Sequence, residues 1–252
     1  MSTSARRRAA VGRLSRVVAG QAAPAPLEHH DWLVERYATM SHAFKPRPVD
    51  HVLRLLDIAI AGSCAILLAP FCVIVAVVLK LTAPRSPVVY RGWRVGRGGQ
   101  LFQMLKFRTL ATDAEQRLGP YLGPELTKLT ENEVSRVGRV LRASRLDELP
   151  QLINVLRGDM SLVGPRPIRP AFFGELCEGI PEYWQRLVVR PGVTGLAQLR
   201  LTREMTWSEK LAHDLEYIAD RSPGLYLSTI VTTVWLIVVR PANRRNALNH
   251  LP

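Results

Sequence analysis

The feature that most restricts this chain is a long apolar stretch without charge. From Ile58 to Leu79 no residue is charged, about 22 residues in all. As a helix that is enough to cross a hydrocarbon core of ~30 Å. Pro70 stands in its middle, after Ala69. An interior proline removes one backbone hydrogen bond and costs ~3 kcal/mol or more. A spanning helix absorbs the loss as a kink. A re-entrant hairpin answers it differently, breaking at Pro70 and returning to the face it came from. Arg47 and Arg54 flank one end, and Lys80, Arg85, Arg91, Arg94 and Arg97 flank the other. Positive charge marks the cytoplasmic side of a membrane segment, and here both ends carry it. Charge therefore favours the re-entrant solution over the span. A buried helix of a soluble protein is a third reading, disfavoured because the run is so long and uniform.

The whole chain is basic: 34 Lys and Arg stand against 21 acids in 252 residues, a net charge of +13. Such a balance suits a polyanionic partner, whether nucleic acid, an anionic membrane surface or a phosphorylated substrate. No nucleic-acid-binding module is recognisable. Three cysteines, Cys64, Cys72 and Cys177, show neither pairing nor metal spacing and fit a reducing compartment. The six histidines do not cluster. No Walker loop, no strand-linked G-x-G-x-x-G and no Ser-His-Asp spacing is present.

Four segments follow from the pattern. Residues 1–47 form a basic extension, rich in Arg, Ala and Pro and read as largely disordered. It is either a solvated tail or one that touches anionic lipid. Residues 48–82 form the re-entrant membrane helix, 83–240 a cytoplasmic or interfacial domain, and 241–252 a tail. Val88–Thr109 alternates around Gly96-Arg97-Gly98-Gly99, which predicts a β-hairpin. Residues 110–157 read as helical with breaks near Gly119-Pro120 and Gly123-Pro124. A proline-rich loop spans 163–170, and helices are expected at 171–178, 181–188 and 207–220. The final apolar stretch, Leu225 to Val239, is short for a span and suits an interface or the core. The fold class is α+β, mostly helical, with a re-entrant helix-break-helix, a small hairpin and interfacial amphipathic helices.

The most informative chemistry lies in Ser144-Arg145-Leu146-Asp147-Glu148. Two adjacent carboxylates open an amphipathic helix. Ser144 would serve as N-cap with acids in the first turn, a structural role that spacing alone favours. The functional reading is a nucleophile with a partner acid, able to hold Mg²⁺ near an incoming phosphate. Arg136, Arg139, Arg142 and Arg145 recur by threes, as a solvated face or with Arg142 aimed at phosphate. Lys106 and Arg108 share one face of a strand, either guarding an edge or meeting substrate. Gly96–Gly99 is a plain turn or a backbone cradle for phosphate. Arg166, fixed between Pro165 and Pro167, is a turn residue or a rigid binding group.

These segments resemble the bacterial sugar transferase family, the monotopic polyprenyl-phosphate phosphoglycosyl transferases, over roughly residues 48–240. The likeness rests on Arg54 and Asp57, Pro70 at the helix break, Arg94-Val95-Gly96-Arg97-Gly98-Gly99, Lys106-Phe107-Arg108-Thr109, Leu146 to Val155, Met160 to Pro167, and Pro191 to Gln198. It implies that Asp147 attacks the β-phosphate of a UDP-sugar, releasing UMP. Polyprenyl (undecaprenyl) phosphate then takes the phosphosugar with help from Glu148. It implies Mg²⁺ on Asp147 and Glu148, and phosphate contacts from Lys106, Arg108, Arg142 and Arg166. It places the chain at the cytoplasmic face of a bacterial inner membrane, at the first membrane step of exopolysaccharide, O-antigen or glycoconjugate synthesis. A non-catalytic membrane scaffold is the alternative. The sugar and the oligomeric state, a dimer included, stay open. In Glu131-Asn132-Glu133-Val134-Ser135 an acid, Glu133, stands where the family often has an arginine, Ala69 where a small polar residue often precedes the proline, and Ser228 where an acid is common.

Overall fold

A computed structural model describes residues 47–110, 133–200 and 206–239. The basic extension before Arg47, the expected helix and breaks within 111–132, and the tail from 240 lie outside the described residues.

Helix α1 runs from Pro48 to Thr82. Pro48 opens it where a missing N–H costs nothing. The Asp50 carboxylate accepts from the Arg47 N–H at 2.9 Å. Ala83-Pro84 ends it, because a residue before proline is pushed out of the α region. The expected break at Pro70 does not divide it: the proline lies inside a single helix. A lone proline forfeits one donor, and the turns on either side keep theirs. This helix is long and apolar enough to cross a membrane, with a mean hydropathy of 2.7 over its most apolar window.

Strands β1 (Val89–Val95) and β2 (Leu101–Phe107) form the expected antiparallel hairpin, with Val89 opposite Phe107 and Val95 opposite Leu101. Its turn takes positive φ at Gly98 and Gly99, 66° and 79°. Helix α2 (Arg136–Ala143) starts at Ser135, whose hydroxyl accepts from the Gly138 N–H. A single 3₁₀ turn, Leu146–Glu148, leads to α3 (Gln151–Arg157). Gly158, at φ 92°, closes α3 by donating to the carbonyls of Asn154 and Val155. Strand β3 (Ser161–Val163) pairs in parallel with β4 (Gly192–Thr194), a sheet the sequence reading did not anticipate. Between them come α4 (Pro170–Gly179) and a 3₁₀ stretch, Pro181–Val188. Helices α5 (Leu196–Leu199), α6 (Trp207–Asp220) and α7 (Pro223–Val239) complete the body. Thr206 and Glu209 cap α6 reciprocally.

Both flanks of α1 pack on this body. Leu53 and Ala61 join Met104, Val155, Met160 and Tyr226 in one core cluster. Val75 and Leu79 join Phe107 and Leu141 in another. Between them Ile66 and Leu67 are 77% and 76% exposed. Arg54 donates to the last carbonyls of α3, Val155 at 2.6 Å and Leu156 at 2.8 Å. Arg108 does the same for the end of α1, donating to the Leu79 carbonyl and to that of Pro87.

Asp57, 2% exposed, ties three elements together. Its Oδ1 accepts from the Ser161 hydroxyl at 2.9 Å, the Leu162 N–H at 2.8 Å and the Tyr226 hydroxyl at 2.7 Å. Hydrogen bonds to a charged group are each worth about 1.5–3 kcal/mol, and removing the acceptor strands three donors. Asp57→Ala should destabilise the fold by about 3 kcal/mol and Tyr226→Phe by about 1 kcal/mol in denaturant titrations of the detergent-solubilised chain. Equal, small effects would show that this carboxylate does not hold the three elements together.

Candidate active site

The carboxylate pair lies in the turn between α2 and α3, and its backbone is unusual. Arg145 adopts the left-handed conformation, φ 56° and ψ 16°, which a non-glycine residue enters at a cost of roughly 1 kcal/mol. That residue turns the chain sharply after α2. Asp147 is thereby brought inward to 7% exposure with Glu148 beside it. Ser144 is not the N-cap its spacing suggested. It ends α2, and its hydroxyl donates to the carbonyls of Val140 and Leu141. The acids therefore sit on one isolated 3₁₀ turn, and no serine cap serves them.

Three basic residues converge on the pair from three other elements. Lys106, on β2, donates to Glu148 Oε1 at 2.7 Å. Arg142, in the last turn of α2, donates from Nε to the Thr109 hydroxyl at 2.8 Å, and its charge acts on Asp147. Arg166, in the proline-rich loop, donates to Gln198 Oε1 at 2.9 Å, and its charge acts on Glu148. Arg108 is not with them: its guanidinium donates to the Leu79 and Pro87 carbonyls described above. Strand alternation put Lys106 and Arg108 on one face, but β2 ends at Phe107, so the rule lapses before Arg108. Arg136 and Arg139 are solvent-exposed on α2. In the Gly-rich turn the Gly96 and Gly99 N–H groups donate to the carbonyls of Gln100 and Gly96.

The two acids meet opposed environments. Burial pushes the Asp147 carboxyl above the usual carboxylate range; Lys106 pulls against that, Glu148 adds to it and Arg142 opposes it. Burial would raise Glu148 as well, but the charges of Lys106 and Arg166 and the Lys106 hydrogen bond outweigh it, so its carboxyl is held below the ordinary value. Adjacent acids driven apart in this way divide the labour of a reaction: one stays ionised and anchored, the other is desolvated and poised. Among the described residues no group of three or more His, Cys, Asp or Glu converges as a metal site. Two neighbouring carboxylates fit the way Mg²⁺ is ordinarily held, by one or two acids together with substrate phosphates.

Several supports escaped the sequence reading. Asn154, fully buried, accepts from the Leu105 N–H and donates to the Gln103 carbonyl, docking α3 on the outer edge of β2. Gly138 lets α2 touch Thr109, since a Cβ there would lie 2.1 Å from the Thr109 carbonyl oxygen. Arg186 and Asp214 form a buried ion pair at 2.8 Å, and Arg186 also donates to the Arg166 carbonyl at 2.8 Å.

A family model described as bacterial sugar transferase matches residues 49–240. This chain belongs to the bacterial sugar transferase family. It is 42% identical over 193 residues to a UDP-glucose:undecaprenyl-phosphate glucose-1-phosphate transferase of Caulobacter vibrioides, covering 74% of this chain and 69% of that protein. It is 36% identical over 197 residues to a UDP-N-acetylgalactosamine-undecaprenyl-phosphate N-acetylgalactosaminephosphotransferase of Aeromonas hydrophila, covering 77% and 45%. Against the exopolysaccharide production protein PSS of Rhizobium leguminosarum bv. phaseoli it is 39% identical over 189 residues, 72% of this chain and 92% of that one. The family match thus encloses the acidic pair and the three cations around it.

The contact at Gly138 gives a direct test of how the site is built. Gly138→Ala should force α2 away from Thr109, at a cost of about 1–3 kcal/mol in thermal or denaturant unfolding. The outward Val140→Ala on the same helix should cost less than about 0.5 kcal/mol. Comparable losses would mean that α2 is not seated through that glycine.

Proposed function

We propose that this chain moves a sugar-1-phosphate from a UDP-sugar to polyprenyl phosphate at the cytoplasmic face of a bacterial inner membrane. The observation that carries the reading is the acidic pair: Asp147 buried and its carboxyl raised, with the charges of Lys106 and Arg142 acting on it, and Glu148 paired with Lys106 and held low with help from the charge of Arg166. The relatives' names supply the donor and acceptor classes.

In this mechanism an Asp147 oxygen attacks the β-phosphorus of the donor. The bond from that phosphorus to the bridging oxygen breaks, and the oxygen leaves on UMP. A phosphosugar remains as an acyl phosphate on Asp147. An oxygen of polyprenyl phosphate then attacks the same phosphorus, the acyl-phosphate bond breaks, and the Asp147 carboxylate is regenerated. Splitting one hard displacement into two is the advantage of a covalent path. Burial leaves the Asp147 oxygen poorly hydrated, which favours attack once it is ionised. Lys106 and Arg142 stand where phosphate charge must be met, and Arg166 is presented by a loop that two prolines stiffen. Mg²⁺, held by Asp147 and Glu148, would neutralise phosphate charge.

The placement of α1 supports a membrane-dipping rather than a membrane-crossing mode. Ala61 and Cys72 both pack on the one catalytic body. Only residues 62–71 separate them, about 15 Å of helix, half of a ~30 Å hydrocarbon core. A span would need the body on both sides of the bilayer. A helix whose two flanks rest on one body while its exposed middle enters one leaflet keeps the acids at headgroup level, where a soluble diphosphate and a lipid-borne phosphate both have access.

Purified chain with UDP-sugars, polyprenyl phosphate and Mg²⁺ should release UMP, and Asp147→Asn should reduce release to background. Full activity in that variant would remove Asp147 as nucleophile, and lipid binding with no release by the wild type would favour a scaffold. The pH dependence has a definite sign. Asp147 must be ionised to attack, its folded-state pKa is raised, and Lys106 is the main charge opposing the rise. Lys106→Met should therefore move the acid limb of kcat/KM to higher pH as well as lower its plateau. An acid limb that stays in place would show that a different group controls it.

A further inference from the structure

A second cationic cleft opens away from the acidic pair, between the first turns of α1, the hairpin turn, β3 and the segment Val188–Arg190. Its cavity measures about 40 Å³, well above the ~10–15 Å³ that one water needs. Four arginines line it, Arg54, Arg97, Arg190 and Arg221, with two acids, Asp50 and Asp57.

The acids are already answered. Asp50 takes two bonds from Arg221, at 2.6 and 3.1 Å. Asp57 takes the three donors that bind its Oδ1. Arg54 turns both its terminal nitrogens to the end of α3. Arg190 donates from Nε to the Gly158 carbonyl at 2.8 Å, and that is its one side-chain bond among the described residues. Arg97 makes no side-chain hydrogen bond or ion pair among the described residues, although its charge is felt at both Asp50 and Arg190. Burial, and the like charges of Arg54 and Arg97, weaken the hold of Arg190 on its proton. Three guanidinium groups thus crowd one half-buried space, and two of them have donors to spare. Two carboxylates answer four guanidinium groups, leaving two positive charges in excess, and like charges held together are destabilising unless a further anion joins them.

We propose that this cleft binds a phosphate group, at a site distinct from the acidic pair, with Arg97 and Arg190 as its principal ligands. Guanidinium forks match the oxygens of phosphate in pairs, and two such forks suit a tetrahedral dianion. The charges that act most strongly on Asp147 and Glu148 come from Lys106, Arg142, Arg166 and Arg145, none of which lines this cleft. The Gly-rich turn thereby acquires a use, which is to present Arg97 to the cleft. The cleft lies beside the start of α1 and next to Arg221, just before α7, so the phosphate could be borne by a lipid or free in solution.

The test is binding, read without turnover. Inorganic phosphate is titrated into the detergent-solubilised full chain and followed by ³¹P line broadening. Saturable binding is expected in the wild type and equally in Asp147→Asn. Arg97→Ala and Arg190→Gln should each weaken it about tenfold or more, the effect of losing one charge-assisted pair. Arg97→Ala is the cleaner variant, because that side chain makes no hydrogen bond or ion pair among the described residues. Binding that is lost in Lys106→Met and unchanged in Arg97→Ala would place the anion at the acidic pair and overturn the proposal, as would absence of saturation in the wild type. Nanodiscs of phosphatidylcholine with and without phosphatidic acid separate the sources. Competition from phosphatidic acid that depends on Arg97 identifies a lipid-borne phosphate, and its absence alongside Arg97-dependent phosphate binding identifies a free one. Loss of UMP release with this binding intact would count against the proposed reaction and leave the cleft standing.

Discussion

Asp57 takes a carboxylate into an apolar crossing, where an unanswered charge would cost several kcal/mol. The answers come from three places: β3 through Ser161 and Leu162, α7 through Tyr226, and Arg54 one turn earlier at 4.0 Å. Those donors can meet at one oxygen only if α1, β3 and α7 cross at a fixed point. Once that point is set, Arg54 reaches the end of α3, and α3 is docked on β2 by Asn154. The acidic turn lies between α2 and α3, so its position relative to Lys106 on β2 follows from the same chain of contacts. The apolar helix is thus built into the frame of the site.

The acids are set apart by position more than by identity. They are neighbours in sequence and nearly alike in chemistry, yet burial rules one and the cations rule the other. Two of the three cations are held from outside the pair: Arg142 by Thr109 and the close approach at Gly138, Arg166 by Gln198 and by the buried Arg186 beneath its carbonyl. Groups fixed before substrate arrives need little reorganisation when phosphate charge develops, which is how electrostatic catalysis gains its strength.

How much of this the residues disclose varies with the range of the interaction. The hairpin, the helices near 171–178 and 207–220 and the 3₁₀ stretch at 181–188 are legible because local periodicity and turn residues specify them. The acidic pair was legible as a candidate, and family likeness carried it further. The β3–β4 pairing was not, since three-residue strands some thirty residues apart offer too little alternation to read. Ser144 misled because serine caps a helix start and also donates to carbonyls at a helix end, and only the left-handed Arg145 decides between the two. Arg108 misled because side-chain alternation says which face a residue takes and nothing of how far the strand extends. Gly138 and Asn154 have no local signature: their work is a contact with a distant backbone.

Helix α7 shows an inversion that bears on the membrane. Leu227, Val231, Val234 and Trp235 recur at helical spacing and are exposed. The opposite side carries Tyr226, Thr229 and Thr233, where Tyr226 meets Asp57 and Thr233 meets Thr194 at 2.8 Å. A helix on a soluble body does the reverse, turning its apolar stripe to the core and its polar side to water. The same inversion holds for the middle of α1, where Ile66, Leu67, Val73 and Ile74 point outward. An outward apolar stripe of this extent is stable against lipid and costly against water. Both stripes belong to helices that meet at Asp57, so the surface that would enter the bilayer and the carboxylate that fixes the frame are two sides of one crossing. A body seated in that way would hold its acidic turn at a constant depth, which is what the proposed reaction between a soluble diphosphate and a lipid-anchored phosphate requires.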